Sequence, residues 1–77
     1  MFKLTVDLDE ALEYVERFDT LPDAVVVANE IAFRKCRMRD KGLTFRQNGT
    51  RMWTACAPHI AGRRILDMVY FEIEEVC

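Results

Sequence analysis

"DLDEALEYVERFD", residues 7–19, follows a short alternating stretch and switches its period. Leu8, Ala11, Leu12, Val15 and Phe18 recur at helical spacing. Asp7, three residues ahead of Glu10, resembles a capping box with Asp in place of Ser or Thr. The reading is a first helix over about residues 8–19. Upstream, "FKLTV" sets Phe2, Leu4 and Val6 against Lys3 and Thr5, the two-residue period of a half-buried strand.

Downstream, "TLPDA" starts a second helix. Thr20 is a capping residue, Pro22 is tolerated in a first turn, and Asp23 suits the positive end of the helix dipole. Leu21, Ala24, Val25, Ala28, Ile31, Ala32 and Cys36 form its apolar stripe, and Gly42 is a natural stop.

The period then returns to two. Asn48-Gly49 between alternating runs predicts a two-residue hairpin turn, pairing Gln47 with Thr50, Arg46 with Arg51, Phe45 with Met52 and Thr44 with Trp53. That register assigns Leu43, Phe45, Met52 and Cys56 to the core and puts Arg46, Arg51 and Trp53 on the other face. "APHIAGRR" reads as a connector with room for one helical turn after Pro58. In "ILDMVYFEIEEV", Ile65, Val69, Phe71 and Ile73 alternate with Leu66, Met68, Tyr70, Glu72 and Glu74 as a last strand, with a helix over 63–76 as the alternative.

The expected fold class is α+β. It is a two-layer sandwich in the order strand, helix, helix, strand, strand, strand, with the helices on one face of a mostly antiparallel sheet and residues 1–77 a single small domain. The expected core is Leu4, Val6, Leu12, Val15, Phe18, Val25, Ala28, Ile31, Phe45, Met52, Val69, Phe71 and Ile73.

Charge is strongly segregated. Residues 1–33 carry eight acids against Lys3 and Arg17, residues 34–64 carry nine bases against Asp40, and the tail adds Asp67, Glu72, Glu74 and Glu75, for a net charge of −2. The basic block of Arg34, Lys35, Arg37, Arg39 and Lys41 falls near the C-terminal end of the second helix, where the dipole favours cations by about 0.3–1 kcal/mol each. That accounts for part of the block. The remainder is expected to form one half of an electrostatic contact whose other half is the acidic first helix, with intramolecular pairing of the two helices as the alternative.

No apolar run approaches the ~18 residues of a membrane span and no signal peptide opens the chain, so a cytoplasmic setting is expected. Cys36, Cys56 and Cys77 are odd in number and widely spaced, which predicts free thiols. Together with His59 they have the chemistry of a zinc set. Only the Cys56/His59 pair is local, however, and no metal and no cofactor is expected. A Cys–His nucleophile lacks an orienting third group and an oxyanion-binding turn, so no catalysis and no small-molecule substrate is expected. Nucleic-acid binding by Trp53 and Tyr70 beside Arg46 and Arg51 is a further alternative, opposed by a pI near 5.3.

The favoured reading is protein contact. Trp53, Tyr70, Met68 and Leu66 fall on a face that no helix remains to cover, bordered by Arg46 and Arg51, and Trp, Tyr and Arg dominate interface hot spots. The contact residues expected are Trp53, Tyr70, Met68, Arg46 and Arg51, with Arg34, Lys35, Arg37, Arg39 and Lys41 as the electrostatic rim. The partner is another protein or a second copy.

"LPDAVVVANEIAFRKCR", through Leu21, Pro22, Ala24, Ala28, Asn29, Ala32 and Arg37, resembles the start of a helix in the N-terminal part of tailed-phage minor tail and tail-completion proteins, where it follows a short strand and an amphipathic helix. The resemblance covers the N-terminal half. It implies a virion structural component at the tail or neck, located in the host cytoplasm or the virion and working through subunit contacts. A small inhibitor or adaptor binding one cellular protein is the alternative within the same class.

Overall fold

The described part of residues 7–19 is strand, not helix. The computed structural model describes residues 1–9, 12–36, 42–61 and 64–76. Strand β1 (Phe2–Asp9) is followed by a second strand, β2 (Leu12–Phe18), which pairs back on it antiparallel from Phe2 opposite Phe18 to Asp7 opposite Glu13. The helical and strand periods coincide for residues four apart, so Tyr14 and Phe18 satisfy both. Pairing with β1 decides between them, because it fills the open edge of β1 and places Tyr14 and Phe18 beside Val6 and Phe2. Val15, expected in the core, is 50% exposed on the opposite face. The capping box called at Glu10 and the core role of Leu12 lie outside what is described.

Helix α1 (Leu21–Cys36) starts where expected. The Asp23 N–H donates to Thr20 Oγ1 at 3.3 Å, so Thr20 caps an otherwise unpaired donor. Ala24, Ala28, Ala32 and Cys36 are buried, and Leu21, Val25 and Ile31 pack beside them, reproducing the expected stripe. Three alanines at four-residue spacing let the helix backbone lie close on the sheet, where Ala55 and Ala57 are also small. The expected continuation beyond Cys36 to Gly42 lies outside the described residues.

The remaining strands are β3 (Arg46–Gln47), β4 (Met52–Ala61) and β5 (Arg64–Glu75). All pairings are antiparallel, in the spatial order β2-β1-β5-β4-β3. The domain is thus α+β, with, among the described residues, one helix against a five-stranded sheet rather than two helices against four strands. β5 is a strand throughout, which disposes of the helical alternative. Val69, Phe71 and Ile73 are buried on one side of it, and Tyr70 is exposed on the other. Residues 58–61, expected as a connector, extend β4 instead.

The Asn48-Gly49 hairpin exists in a different register. Gln47 lies opposite Trp53 and Arg46 opposite Thr54, three residues away from the two-residue turn, and Asn48 N–H donates to the Met52 carbonyl at 2.7 Å. Gly49 supplies the positive φ of 85° within the longer loop. A slip by an odd number of residues exchanges the faces of a strand. Trp53, Ala55 and Ala57 therefore face the helix, while Met52, Thr54 and Cys56 face away, the reverse of the expected assignment.

Segment 42–44 is held off β4 by Asn29 of α1. Asn29 Nδ2 donates to the Val25 carbonyl at 3.0 Å, and its Oδ1 accepts the Leu43 N–H at 2.6 Å. A Cβ on Gly42 would lie 2.8 Å from that same oxygen, so a side chain there would push the Asn29 amide out of place. Asn29→Ala removes the acceptor and leaves a part-buried N–H without it. A loss of about 1–2 kcal/mol is expected in urea unfolding, together with faster amide exchange at Leu43.

Candidate functional site

The helix covers one side of the sheet only: α1 contacts β1, β2, β4 and β5, all from the same face. The opposite face is built from alternate residues, and cross-strand pairing arranges them in rungs. One rung runs Arg17, Lys3, Glu74, Met52; the next runs Val15, Thr5, Glu72, Thr54, Arg46; a third places Asp7 beside Tyr70 and Tyr70 beside Cys56. Pro58 and Met68 are paired beyond them.

Tyr70 is 57% exposed in the middle of this face. On one side of it lies a concavity of about 710 Å³, bounded by Gly42, Leu43, Thr44, Arg46, Thr54 and Cys56. On the other lies one of about 330 Å³, lined by Thr5, Asp7, Thr54, Phe71 and Glu72. The ring thus stands as a ridge between two hollows. Along these rungs the described charges are mixed, with Lys3, Arg17 and Arg46 against Asp7, Glu72 and Glu74. The three cations and three anions described on this face balance in number.

The expected contact residues do not all meet here. Tyr70, Met68 and Arg46 lie on the open face, with Met68 half-buried. Trp53 does not. It is half-buried on the helix side, beside Ile73 in register, with its ring 6.0 Å from that of Phe2 at an interplanar angle of 57°. Arg51 is exposed in the β3–β4 loop, its carbonyl accepting the Glu75 N–H at 2.8 Å, and it does not face Arg46. Arg34 projects from the solvent side of α1, where Val26, Asn29, Glu30 and Phe33 share a shallow hollow with it, on the other side of the molecule from Tyr70. Lys35 lies on α1, but its side chain, like Arg37, Arg39 and Lys41 altogether, lies outside the described residues.

Sequence reasoning missed Cys56 and Met52 as open-face residues, because the turn length fixes their parity and the dipeptide does not. Cys36 is buried under the helix, where burial pushes its thiol pKa up, whereas Cys56 is exposed on the opposite side of the sheet. The two cannot share a ligand. Among the described residues no three His, Cys, Asp or Glu side chains converge as a metal site, and no helix is long and apolar enough to cross a membrane. The side chain of His59 and all of Cys77 lie outside the described residues.

One polar pair sits at the helix side of β2. Tyr14 Oη donates to the Glu16 carboxylate. This bond, then burial, then the negative charges of Glu16 and Glu30 push the Tyr14 phenol up to about 12. The hydroxyl therefore stays protonated throughout the neutral range.

No known family, curated protein or solved structure matches the chain.

Proposed function

We propose that this domain is a non-enzymatic protein-interaction module that binds its partner through the open face of the sheet. The observation that supports this reading most is Tyr70, a large aromatic standing exposed between two hollows on a sheet face that no element of the described chain covers. Met52, Met68 and Cys56 add soft, adaptable surface around it, and Arg46 supplies the flanking cation. Interface cores combine these residue types.

The assembly role at a phage tail or neck is the form of this proposal favoured by the resemblance of residues 21–37. α1 begins at the resembling Leu21 and Pro22, but β2 stands where that resemblance implies a helix. An inhibitor or adaptor would use the same face. Nucleic-acid binding is disfavoured by Asp7, Glu72 and Glu74 among the groups around Tyr70.

The test compares wild type with Tyr70→Ala and Arg46→Glu as immobilised baits. A defined protein retained by wild type, and weakened at least tenfold by Tyr70→Ala with the fold unchanged by circular dichroism, is the expected result. Equal retention by all three baits would remove the open face from the function. Retention of single-stranded DNA or RNA that falls steeply with salt would move the domain to the nucleic-acid class.

A further inference from the structure

The two free edges of the sheet match in backbone direction and oppose in charge. We propose that copies of this chain associate head to tail, with β2 of one copy adding antiparallel to the free edge of β4 in the next. This contact uses strand edges rather than the open face, so it can fail while the reading above stands, and the reverse.

The direction of each strand's peptide groups follows from a few hydrogen bonds. Val76 N–H donates to the Met1 carbonyl and Glu75 N–H to the Arg51 carbonyl, both at 2.8 Å. Odd-numbered residues of β1 therefore address β5, and even-numbered ones address β2 through Phe2 with Phe18, Leu4 with Glu16 and Val6 with Tyr14. The peptide groups of Glu13, Val15 and Arg17 consequently point out of the sheet.

At the other end, the Asn48 to Met52 bond shows that Met52, Thr54, Cys56 and Pro58 address the β3 side. β3 is paired only as far as Thr54. Among the described residues Cys56 and Pro58 have no strand beside them. The missing N–H of Pro58 falls on this edge, so it costs the β4–β5 ladder nothing.

Among the described residues, Asn29 keeps this edge open. By holding Leu43 it parts segment 42–44 from β4, and the hollow of about 710 Å³ lies between them, bounded by Gly42, Leu43 and Thr44 on one side and Thr54 and Cys56 on the other. On both edges the residues with outward peptide groups carry open-face side chains, Val15 in the rung of Thr5 and Cys56 in that of Tyr70. With every pairing antiparallel, β2 runs opposite to β4. A copy added in the same orientation therefore continues the ladder with all helices on one side.

Charge selects the same pairing. The hairpin of residues 2–19 carries Asp7, Asp9, Glu10, Glu13, Glu16 and Asp19 against Lys3 and Arg17, whereas residues 42–61 carry Arg46 and Arg51 and no acid. β2 to β2 or β4 to β4 contacts would bring like charge together, and the β2 to β4 contact brings opposite charge together. Such a contact is heterologous and extends into chains or closes into rings.

The test is a disulfide trap. Val15→Cys in a Cys77→Ser background places a new thiol on β2 while native Cys56 stays exposed on β4. Within one molecule the two are three strand spacings apart, about 14 Å, beyond the ~7 Å that a disulfide can bridge. Oxidation with copper phenanthroline at low salt should give a ladder of three or more covalently linked copies on a non-reducing gel. The ladder should be lost with reductant and suppressed several-fold in 0.5 M salt. Products that stop at the dimer indicate symmetric contact and overturn the proposal, as does monomer alone. Independently, Val15→Pro removes an outward N–H without touching the β1 ladder. It should bring the concentration-dependent sedimentation coefficient of the wild-type chain down to that of the monomer, and identical sedimentation of the two proteins also overturns the proposal.

Discussion

Phe71→Ala is expected to cost about 3–5 kcal/mol of folding stability, the largest effect of any single truncation in this domain. Phe71 is 1% exposed on β5, the middle strand of five, with Val6 of β1 on one flank and Ala55 of β4 on the other. Small side chains surround it on the helix layer, at Ala24, Ala28 and Ala32, so little is available to collapse into the vacated space. Small domains have about 5–15 kcal/mol in total, so the variant should approach the unfolding threshold. Urea denaturation followed by circular dichroism reads the effect as a lower midpoint at unchanged slope. A loss below 1 kcal/mol would mean that the core is centred elsewhere.

Trp53→Ala should destabilise the domain by about 2–3 kcal/mol, less than a fully buried aromatic because part of the ring stays in contact with solvent. The ring packs against Phe2 and the core cluster, so its removal opens the corner where β1, β5 and β4 meet under the helix. Intrinsic fluorescence supplies a direct check, since Trp53 is the sole tryptophan. Its emission should shift to the red on unfolding in step with the circular dichroism signal. If Trp53→Ala unfolds at the wild-type midpoint, the side chain is free of the core and the hairpin register given above is wrong.

Trp53 also shows where sequence reasoning stops. The alternation of residues 43–57 was readable, and so was the turn at Asn48-Gly49, but parity depends on how many residues the loop consumes. Five rather than two separate Gln47 from Trp53, and that odd difference exchanged Trp53 and Met52 between faces. α1 was readable because its start, cap and stripe are local properties: Thr20, Pro22 and the alanines at 24, 28 and 32 each satisfy a helix rule without help from the rest of the chain. β5 was readable because Val69, Phe71 and Ile73 alternate strictly with polar or exposed neighbours.

Residues 12–18 were not readable in the same way. Glu, Ala and Leu in "DEALE" favour a helix by propensity, and Leu12, Val15 and Phe18 fit its period. What overrides them is the vacancy beside β1, a tertiary fact that no window of sequence contains. The candidate surface inherits both outcomes. Alternation alone puts Tyr70 and Arg46 on the open face, whereas putting Trp53 there takes a two-residue turn that the loop does not adopt.

The central position of β5 has a kinetic meaning. β1 and β5 lie side by side, pairing Phe2 with Glu75 and Asp7 with Tyr70, so the middle of the sheet joins the two most distant parts of the sequence. Closing a loop of that length costs about 1.6 kcal/mol more in chain entropy than closing one of ten residues. The β1–β2 and β4–β5 hairpins can each form locally, but each then carries an uncovered apolar face until the closure occurs. High contact order of this kind slows folding. The interval before closure is therefore when this chain is most exposed to wrong pairings, its own hairpins presenting four edges instead of two.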